Sequence, residues 1–285
     1  MTPEVVINYN CQLGEGPLWD DRQNLLWWVN IIAGELHRHD PKTGENKIYQ
    51  LGQMVGTVGL RESGGLVLAL ENGFAALDPE TEQLTPIIDP ESDKPANRFN
   101  DGKPGPDGSF FAGTMAKEII DHAGSFYRLN TDQSVDHLLG DITISNGLAW
   151  TADQTTLYYI DTPTHYVQAF DYNNKTGAIT NQRIAFHIPK EIGSPDGMCI
   201  DSEDMLWIAF YSGSAIHRWN PKTGERLQTV QMPTSNITCC TFGGEQMDML
   251  YITTAGGDLG EEDLAGALFK VQAPVTGKKA FRYKG

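Results

Sequence analysis

A nine-residue segment occurs twice in this chain, 180 positions apart. Residues 37–45 read His-Arg-His-Asp-Pro-Lys-Thr-Gly-Glu, and residues 217–225 read His-Arg-Trp-Asn-Pro-Lys-Thr-Gly-Glu. Looser copies stand at residues 77–82, 170–177 and 270–277. Each copy is typical of a strand that runs into a tight turn. Self-similarity of this kind limits the chain to a fold that is built from similar units.

Six short apolar runs recur at a matching interval. They are rich in β-branched and aromatic residues, which favour buried strands. The runs begin at Leu25, Leu66, Phe110, Leu157, Leu206 and Leu250. Equivalent positions in successive runs are separated by 41, 44, 47, 49 and 44 residues. A four-stranded propeller blade recurs at about this interval, roughly 40 to 50 residues.

The repeats therefore predict an all-β chain whose residues 1–285 form a single six-bladed β-propeller domain. No long segment has the 3.6-residue apolar period of an amphipathic helix. The alternative architecture is a pair of β-sandwiches, which would not produce six similar intervals. In a propeller, residues 5–7 can supply a strand that completes the last blade, so that the ring closes without an exposed sheet edge.

The charge of the chain limits its partners. Lys and Arg number 21 against 37 Asp and Glu, which gives a formal net charge of −16. We therefore expect neither nucleic acid nor an anionic membrane surface as a ligand. The sequence lacks a signal-peptide pattern and any run of about 18 apolar residues. We expect a cytoplasmic protein, a monomer or weak homo-oligomer, with its four cysteines reduced.

Four of the repeats carry a carboxylate or amide residue directly before a glycine, nine to eleven residues ahead of the apolar run. These residues are Glu15, Asp101, Asn146 and Asp196. Asp-Gly and Asn-Gly are also ordinary turn signals, which is the alternative reading of each pair. The innermost strands of a propeller line its central channel, so the shared register favours a ring of oxygen atoms at one end. Such a ring suits a hard divalent cation.

The motifs around these residues resemble the senescence marker protein/gluconolactonase/luciferin-regenerating enzyme family. The ordered set extends from about Leu13 to about Ala255 and comprises residues 14–19, 97–103, 111–116, 144–148, 158–161 and 195–201. The resemblance implies a propeller that hydrolyses sugar-acid lactones with one divalent cation, Ca²⁺, Zn²⁺, Mn²⁺, Mg²⁺ or Fe²⁺, in its channel. By position it implies three metal ligands, Glu15, Asn146 and Asp196. It also implies three substrate-binding residues, Arg98, Asn100 and Glu118.

One segment departs from the family pattern. Lys117 stands where the similar proteins carry an additional acid, and the loop from Ile119 to Gly124 is expected to shape specificity differently. Arg98 suits the sugar because its planar guanidinium can donate two hydrogen bonds to hydroxyls or to a carboxylate. We expect Asp101 to bond the backbone or to orient Asn100.

The chemistry of a lactone fits such a site. A lactone is an ester, and a divalent cation can polarise its carbonyl and lower the pKa of bound water. The predicted reaction is thus metal-polarised attack of water on the lactone carbonyl, with Asp196 as metal ligand and general base. A non-catalytic cation-binding propeller and a metal-dependent esterase or organophosphate hydrolase remain the alternatives.

Other kinds of catalytic site find less support in the sequence. The seven histidines are dispersed, and we expect His37 and His39 to form a pair on the surface. No Gly-Xaa-Ser-Xaa-Gly elbow of a serine hydrolase is present. The tryptophans at repeat positions, among them Trp19 and Trp150, are expected to pack between blades.

Overall fold

The computed structural model describes residues 1–256 and 264–285. Its strands, numbered in chain order, form six antiparallel four-stranded sheets. The innermost strands are β2 (Gly14–Asp20), β6 (Val55–Leu60), β10 (Asn97–Pro104), β14 (Ser145–Trp150), β18 (Ser194–Ile200) and β22 (Ile237–Gly243). The second strands are β3 (Leu25–Asn30), β7 (Leu66–Leu70), β11 (Phe110–Ala116), β15 (Thr156–Asp161), β19 (Leu206–Tyr211) and β23 (Met249–Thr254).

The third strands are β4 (Glu35–His39), β8 (Gly73–Asp78), β12 (Gly124–Leu129), β16 (Tyr166–Tyr172), β20 (Ala215–Asn220) and β24 (Leu268–Gln272). The outer strands are β5 (Asn46–Gln50), β9 (Gln83–Ile88), β13 (Val135–Ile142), β17 (Ile179–His187), β21 (Glu225–Gln231) and β1 (Glu4–Ile7). Blades 1 to 5 are β2–β5, β6–β9, β10–β13, β14–β17 and β18–β21, and blade 6 is β22–β24 with β1. Short 3₁₀ helices span Thr162–Thr164 and Lys190–Ile192. The predicted six-bladed propeller is confirmed.

Strand β1 closes the ring as the sequence predicted. It pairs antiparallel with β24, with Glu4 opposite Lys270 and Val5 opposite Phe269. The first strand of the chain is therefore the outer strand of the last blade. In the described part of the chain, no helix is long and apolar enough to cross a membrane.

The hydrophobic core lies between neighbouring blades. Six clusters fill the six interfaces, and the first of them packs Trp27 and Val29 of blade 1 against Leu60 and Leu68 of blade 2. The repeat-position tryptophans, such as Trp19, are buried here, as expected. The apolar runs form the second strands, which are covered on both faces and so need no alternation of polar residues.

The repeated nine-residue segment is the hairpin between third and outer strands. In blade 1 the Asp40 carboxylate accepts a hydrogen bond from the Lys42 amide at 2.8 Å, and in blade 5 the Asn220 side chain accepts one from the Lys222 amide at 3.0 Å. Both turns end on a glycine with positive φ, which is 78° at Gly44 and 70° at Gly224. The repeat thus encodes one turn type, whose Asp or Asn and Gly positions are fixed by backbone geometry.

The expectation of a surface pair for His37 and His39 was wrong, because both side chains are buried. Strand β4 is sandwiched between blades, so both of its faces are covered. The His37 ring stacks on Trp28 with centroids 4.0 Å apart, and its Nε2 lies 3.5 Å from a carboxylate oxygen of Glu35. The cysteines match expectation, since all four are free thiols.

Residues 276–285, which we call the C-terminal segment, cross the end of the channel at which the innermost strands finish. We call this the far end, and the end at which those strands begin the near end. The segment contacts every blade, through Ser202–Thr276, Met247–Gly277, Asp21–Lys279, Trp150–Phe281, Leu60–Tyr283 and Gly108–Lys284. Its residues Lys278 to Phe281 line a cavity of about 90 Å³ that also reaches Lys103.

Candidate metal centre and substrate pocket

Every innermost strand carries an irregularity at the same position near its start. The pairing register shifts between Glu15 and Leu18 in β2, and at equivalent places in the other five innermost strands. A bulge of this kind twists the strand and redirects side chains. The residues at the irregularities are Glu15, Gly56, Asp101, Asn146, Asp196 and Thr238. The predicted ring of oxygen-bearing residues therefore has a structural basis.

The Asx-Gly pairs lie within strands, so the alternative reading as turns does not hold for them. Their glycines allow close approach between innermost strands. A Cβ at Gly147 would lie 2.8 Å from the Asp196 carbonyl oxygen, and one at Gly197 would lie 2.3 Å from Cys239 Sγ. In β2 the glycine has a second role, because Gly16 has a φ of +55° and its amide donates to the Glu15 carboxylate at 2.7 Å.

Glu15, Asn146 and Asp196 converge at the near end of the channel. All three side chains are buried. The carboxyl groups of Glu15 and Asp196 are in hydrogen-bonding contact, and the Asn146 amide lies beside Asp196. Asn146 Nδ2 also donates to Thr162 Oγ1 at 2.9 Å. Thr162 begins the 3₁₀ helix after β15, so that helix orients the Asn146 amide.

Burial dominates the electrostatics of this cluster. It raises the pKa of Glu15 well above the ordinary value, and the charges of Asp196 and Asp101 raise it further. Burial likewise raises the pKa of Asp196, with Asp101 adding to the effect, while hydrogen bonds from its neighbours partly oppose the shift. Two adjacent buried carboxylates without a cation are unfavourable, and they bind protons more tightly in consequence.

Within the described residues, two buried oxygen atoms in the channel have no hydrogen-bond partner, Oδ1 of Asn146 and Oδ2 of Asp101. Unpartnered buried acceptors are rare in proteins. The Asn146 amide contacts the Asp196 carboxyl group, which in turn contacts Glu15. Carboxylate and amide oxygens are ligands that hard divalent cations prefer. The donor set thus fits a cation. Among the described residues, no three His, Cys, Asp or Glu side chains are already arranged as ligands, so the amide is an essential part of this set.

Arg98 and Asn100 form a second layer beside the carboxylates. Arg98 Nη1 donates to Asn100 Oδ1 at 2.7 Å and to the Phe99 carbonyl at 3.0 Å. Asn100 Nδ2 donates to the Ser145 carbonyl at 2.7 Å, directly before Asn146. Burial lowers the pKa of Arg98 to about 10, and the charges of Glu15 and Asp196 oppose this shift. The guanidinium therefore remains positively charged.

Glu118 is not part of the buried cluster. It is exposed in the loop after β11, two residues beyond Ala116, which pairs with Asn97 at the start of β10. The loop thus lies at the near end, on the blade that carries Arg98. The neighbouring Lys117 forms an ion pair with Glu71 of blade 2, with Nζ and Oε1 2.6 Å apart. Glu71 in turn is close enough to Arg98 to oppose the lowering of its pKa.

Asp101 and Lys103 complete the polar channel. The Asp101 carboxylate accepts a hydrogen bond from the Gly102 amide at 2.7 Å, as expected for a residue that bonds the backbone. Lys103 had no predicted role, yet its ammonium donates to backbone carbonyls of blades 4 and 5. Lys103 is two residues after Asp101, so both lie on one side of the strand. This spacing was the one signal in the sequence that could have placed Lys103 in the channel.

The fold and these side chains define a six-bladed propeller with an oxygen-rich polar site at the near end of its channel. A sequence profile described as "SMP-30/Gluconolactonase/LRE-like region" matches residues 13–256. The chain therefore belongs to the SMP-30/gluconolactonase/LRE-like family.

Individual proteins of known name agree with this assignment. Regucalcin from Gallus gallus is 42% identical over 278 residues, which is 94% of this chain and 93% of that protein. A luciferin-regenerating enzyme superposes with a TM-score of 0.94 at 30% identity, covering 100% of this chain and 99% of its own. The calcium-binding protein regucalcin from Agrobacterium tumefaciens has a TM-score of 0.94 at 28% identity, with 99% and 97% covered.

Proposed function

We propose that this protein is a divalent-cation-dependent lactonase that opens a sugar-acid lactone by hydrolysis. The observation that carries the proposal is the contact between Glu15 and Asp196 beside the unpartnered Asn146 oxygen, with Arg98 next to them. Glu15, Asn146 and Asp196 would hold the cation. When bound, the cation would supply Lewis-acid polarisation of the lactone carbonyl. The proposal treats residues 1–285 as one propeller domain.

Asp196 is the proposed general base. Its carboxylate would accept a proton from the attacking water as the new bond to the carbonyl carbon forms, and that proton would then pass to the ring oxygen when its bond to carbon breaks. A base needs an ionised carboxylate. Because burial raises the pKa of Asp196, a neighbouring positive charge would favour its ionised form at neutral pH.

Arg98 and Asn100 are proposed to bind the substrate. Arg98 uses Nη1 for Asn100 and the backbone, which fixes the plane of the guanidinium and orients its remaining donors. Asn100 is fixed in turn by Ser145. A preorganised pair of this kind suits the hydroxyls of a sugar acid better than an apolar ester. Glu118, exposed at the rim, would accept hydrogen bonds from substrate hydroxyls.

A second candidate function is cation binding without catalysis. It is supported by the similarity to regucalcin of A. tumefaciens, which is described as a calcium-binding protein. The same buried carboxylates serve both candidates, so only turnover separates them.

The test is an acid-release assay of the metal-stripped protein. Gluconolactone, xylonolactone, arabinonolactone and galactonolactone are each offered before and after addition of Ca²⁺, Zn²⁺, Mn²⁺, Mg²⁺ or Fe²⁺. We expect release of acid from at least one lactone only with added cation. Calorimetric cation binding without turnover on any lactone would instead establish the second candidate, and an apolar ester in the panel tests the broader esterase activity.

A further inference from the structure

Lys103 lies in the channel on the far-end side of the carboxylates, where it links blade 3 to blades 4 and 5. It extends from β10 of blade 3. Its Nζ donates to the Leu148 carbonyl of blade 4 at 3.2 Å and to the Met198 carbonyl of blade 5. Blades 4 and 5 belong to separate sheets, so the ladder hydrogen bonds of the sheets do not join them. The ammonium therefore supplies a polar connection between them at the axis.

The two acceptors stand in a definite relation to the proposed metal ligands. Leu148 is two residues after Asn146 on β14, and Met198 is two residues after Asp196 on β18. The ammonium thus binds both strands two residues beyond the ligand side chains, on the far-end side. Loss of this contact would let the strands that carry the ligands tilt or separate.

The charge of Lys103 also fits the channel. Three buried carboxyl groups, Glu15, Asp101 and Asp196, lie near the axis. Burial alone would lower the pKa of Lys103, but the Asp101 carboxylate reverses this, and the pKa of Lys103 lies above its ordinary value. Lys103 is partly open to the far-end cavity, which leaves space beside its head group.

We propose that Lys103 is a positioning residue for the metal centre, which fixes the separation of Asn146 and Asp196 by binding the backbones of β14 and β18. The inference rests on the proposed metal site but not on catalysis. A positioning role and a purely electrostatic role of Lys103 predict opposite changes in cation affinity when the residue is replaced. A positive charge that only repelled the cation would weaken cation binding, so its removal would strengthen binding. Loss of a positioning contact weakens binding, as other outer-shell substitutions do.

The experiment compares Lys103→Met with the wild type by calorimetric titration of Ca²⁺, and in parallel Zn²⁺ and Mn²⁺, into metal-stripped protein. Methionine has a similar length and no donor or charge. We expect the dissociation constant to rise by about 10- to 100-fold. Lys103→Arg, for which the adjacent cavity provides room, should restore most of the affinity because it can donate to both carbonyls.

Lys278→Met is the matched control, because Lys278 lines the same cavity and pairs with Asp204 at the far end. It should leave cation affinity unchanged. If Lys103→Met does not fold, as judged by circular dichroism, Lys103→Leu replaces it, since leucine is also uncharged and has no donor. Unchanged or tighter cation binding by the folded Met or Leu variant overturns the inference. A wild type that binds neither these three cations nor Mg²⁺ or Fe²⁺ contradicts the proposed metal centre itself, whereas cation binding without lactone turnover contradicts only the proposed reaction.

Discussion

Arg98 and Asn100 are joined by a hydrogen bond of 2.7 Å from guanidinium to amide oxygen, and this contact orients both side chains before any substrate arrives. Asn100 is in turn bonded to the backbone next to Asn146. The proposed substrate-binding pair and the proposed metal centre are thereby connected through two hydrogen bonds. A substitution at Arg98 is expected to act mainly on binding, while one at Asp196 is expected to act on turnover.

Replacement of Arg98 by lysine should raise KM for the preferred lactone by about 10- to 100-fold and change kcat less. Lysine keeps the charge but lacks the planar fork, so hydrogen bonds to a charged group, each about 1.5–3 kcal/mol, are lost. Steady-state kinetics measures both constants. Arg183→Lys, on an exposed arginine that pairs with Asp171, is the control. An unchanged KM would assign Arg98 a structural role only.

Asp196→Ala should lower kcat by at least about 100-fold, since a general base contributes about that much or more, and it should also weaken cation binding. The variant should remain folded, because the hydrophobic core lies between blades and not at the channel. Turnover at saturating cation is the measurement. Asp171→Ala, an exposed aspartate of blade 4, should behave as the wild type. Wild-type kcat in Asp196→Ala would remove Asp196 from the mechanism.

The contribution of Glu15 and Asp196 to the stability of the metal-free protein should decline as pH rises above about 4. Glu15 and Asp196 have ordinary pKa values of 4.5 and 3.8, and both are raised in the folded state. The folded state therefore binds more protons than the unfolded state between the ordinary and the raised values, and the favourable contribution disappears across that interval. Thermal unfolding with a chelator measures this, and saturating cation should reduce the loss.

Asp196→Asn provides the variant for this effect. It removes one of two adjacent buried negative charges, so the metal-free variant should have a higher Tm than the metal-free wild type at pH 7. The order should reverse or converge in the presence of saturating cation, which stabilises only a protein that binds it. A lower Tm for the metal-free variant would show that the two carboxylates do not repel each other in the folded state.

Two buried histidines, His37 and His217, make a contribution to stability that has the opposite pH dependence. Burial lowers the pKa of His37 to about 4, with Glu35 opposing, and burial lowers that of His217 to about 4 as well. Both histidines are neutral in the folded protein, so their contribution is complete above pH 6.5 and is lost as pH falls towards 4. His37→Gln should flatten the Tm profile between these values. An unaltered profile would mean that His37 titrates normally.

The repeat pattern was sufficient to predict the propeller. The spacing of the second strands and the turn chemistry of residues 37–45 and 217–225 recur because every blade has the same four strands. The register of Glu15, Asn146 and Asp196 also followed from the repeats. Other features could not be predicted. The burial of His37 depends on packing between blades, and the ion pair of Lys117 with Glu71 joins blades 2 and 3, so neither appears in local sequence.

The contacts of Lys103 could not be predicted from the sequence either. Its partners are backbone carbonyls, which every residue possesses, so no pattern of side chains could have identified them. The sequence indicates only that Lys103 shares a strand face with Asp101. The bulges that redirect the innermost strands are likewise visible only in the pairing of strands.

The pairing of β1 with β24 has a consequence for synthesis of the chain. Strand β1 leaves the ribosome well before its partner residues 268–270, because five and a half blades lie between them in the chain. Ring closure must therefore await synthesis of blade 6. Until then residues 4–7 and the open edge of the growing sheet array are unpaired, and such edges associate readily with other strands. The nascent protein is thus most vulnerable to aggregation just before β24 emerges.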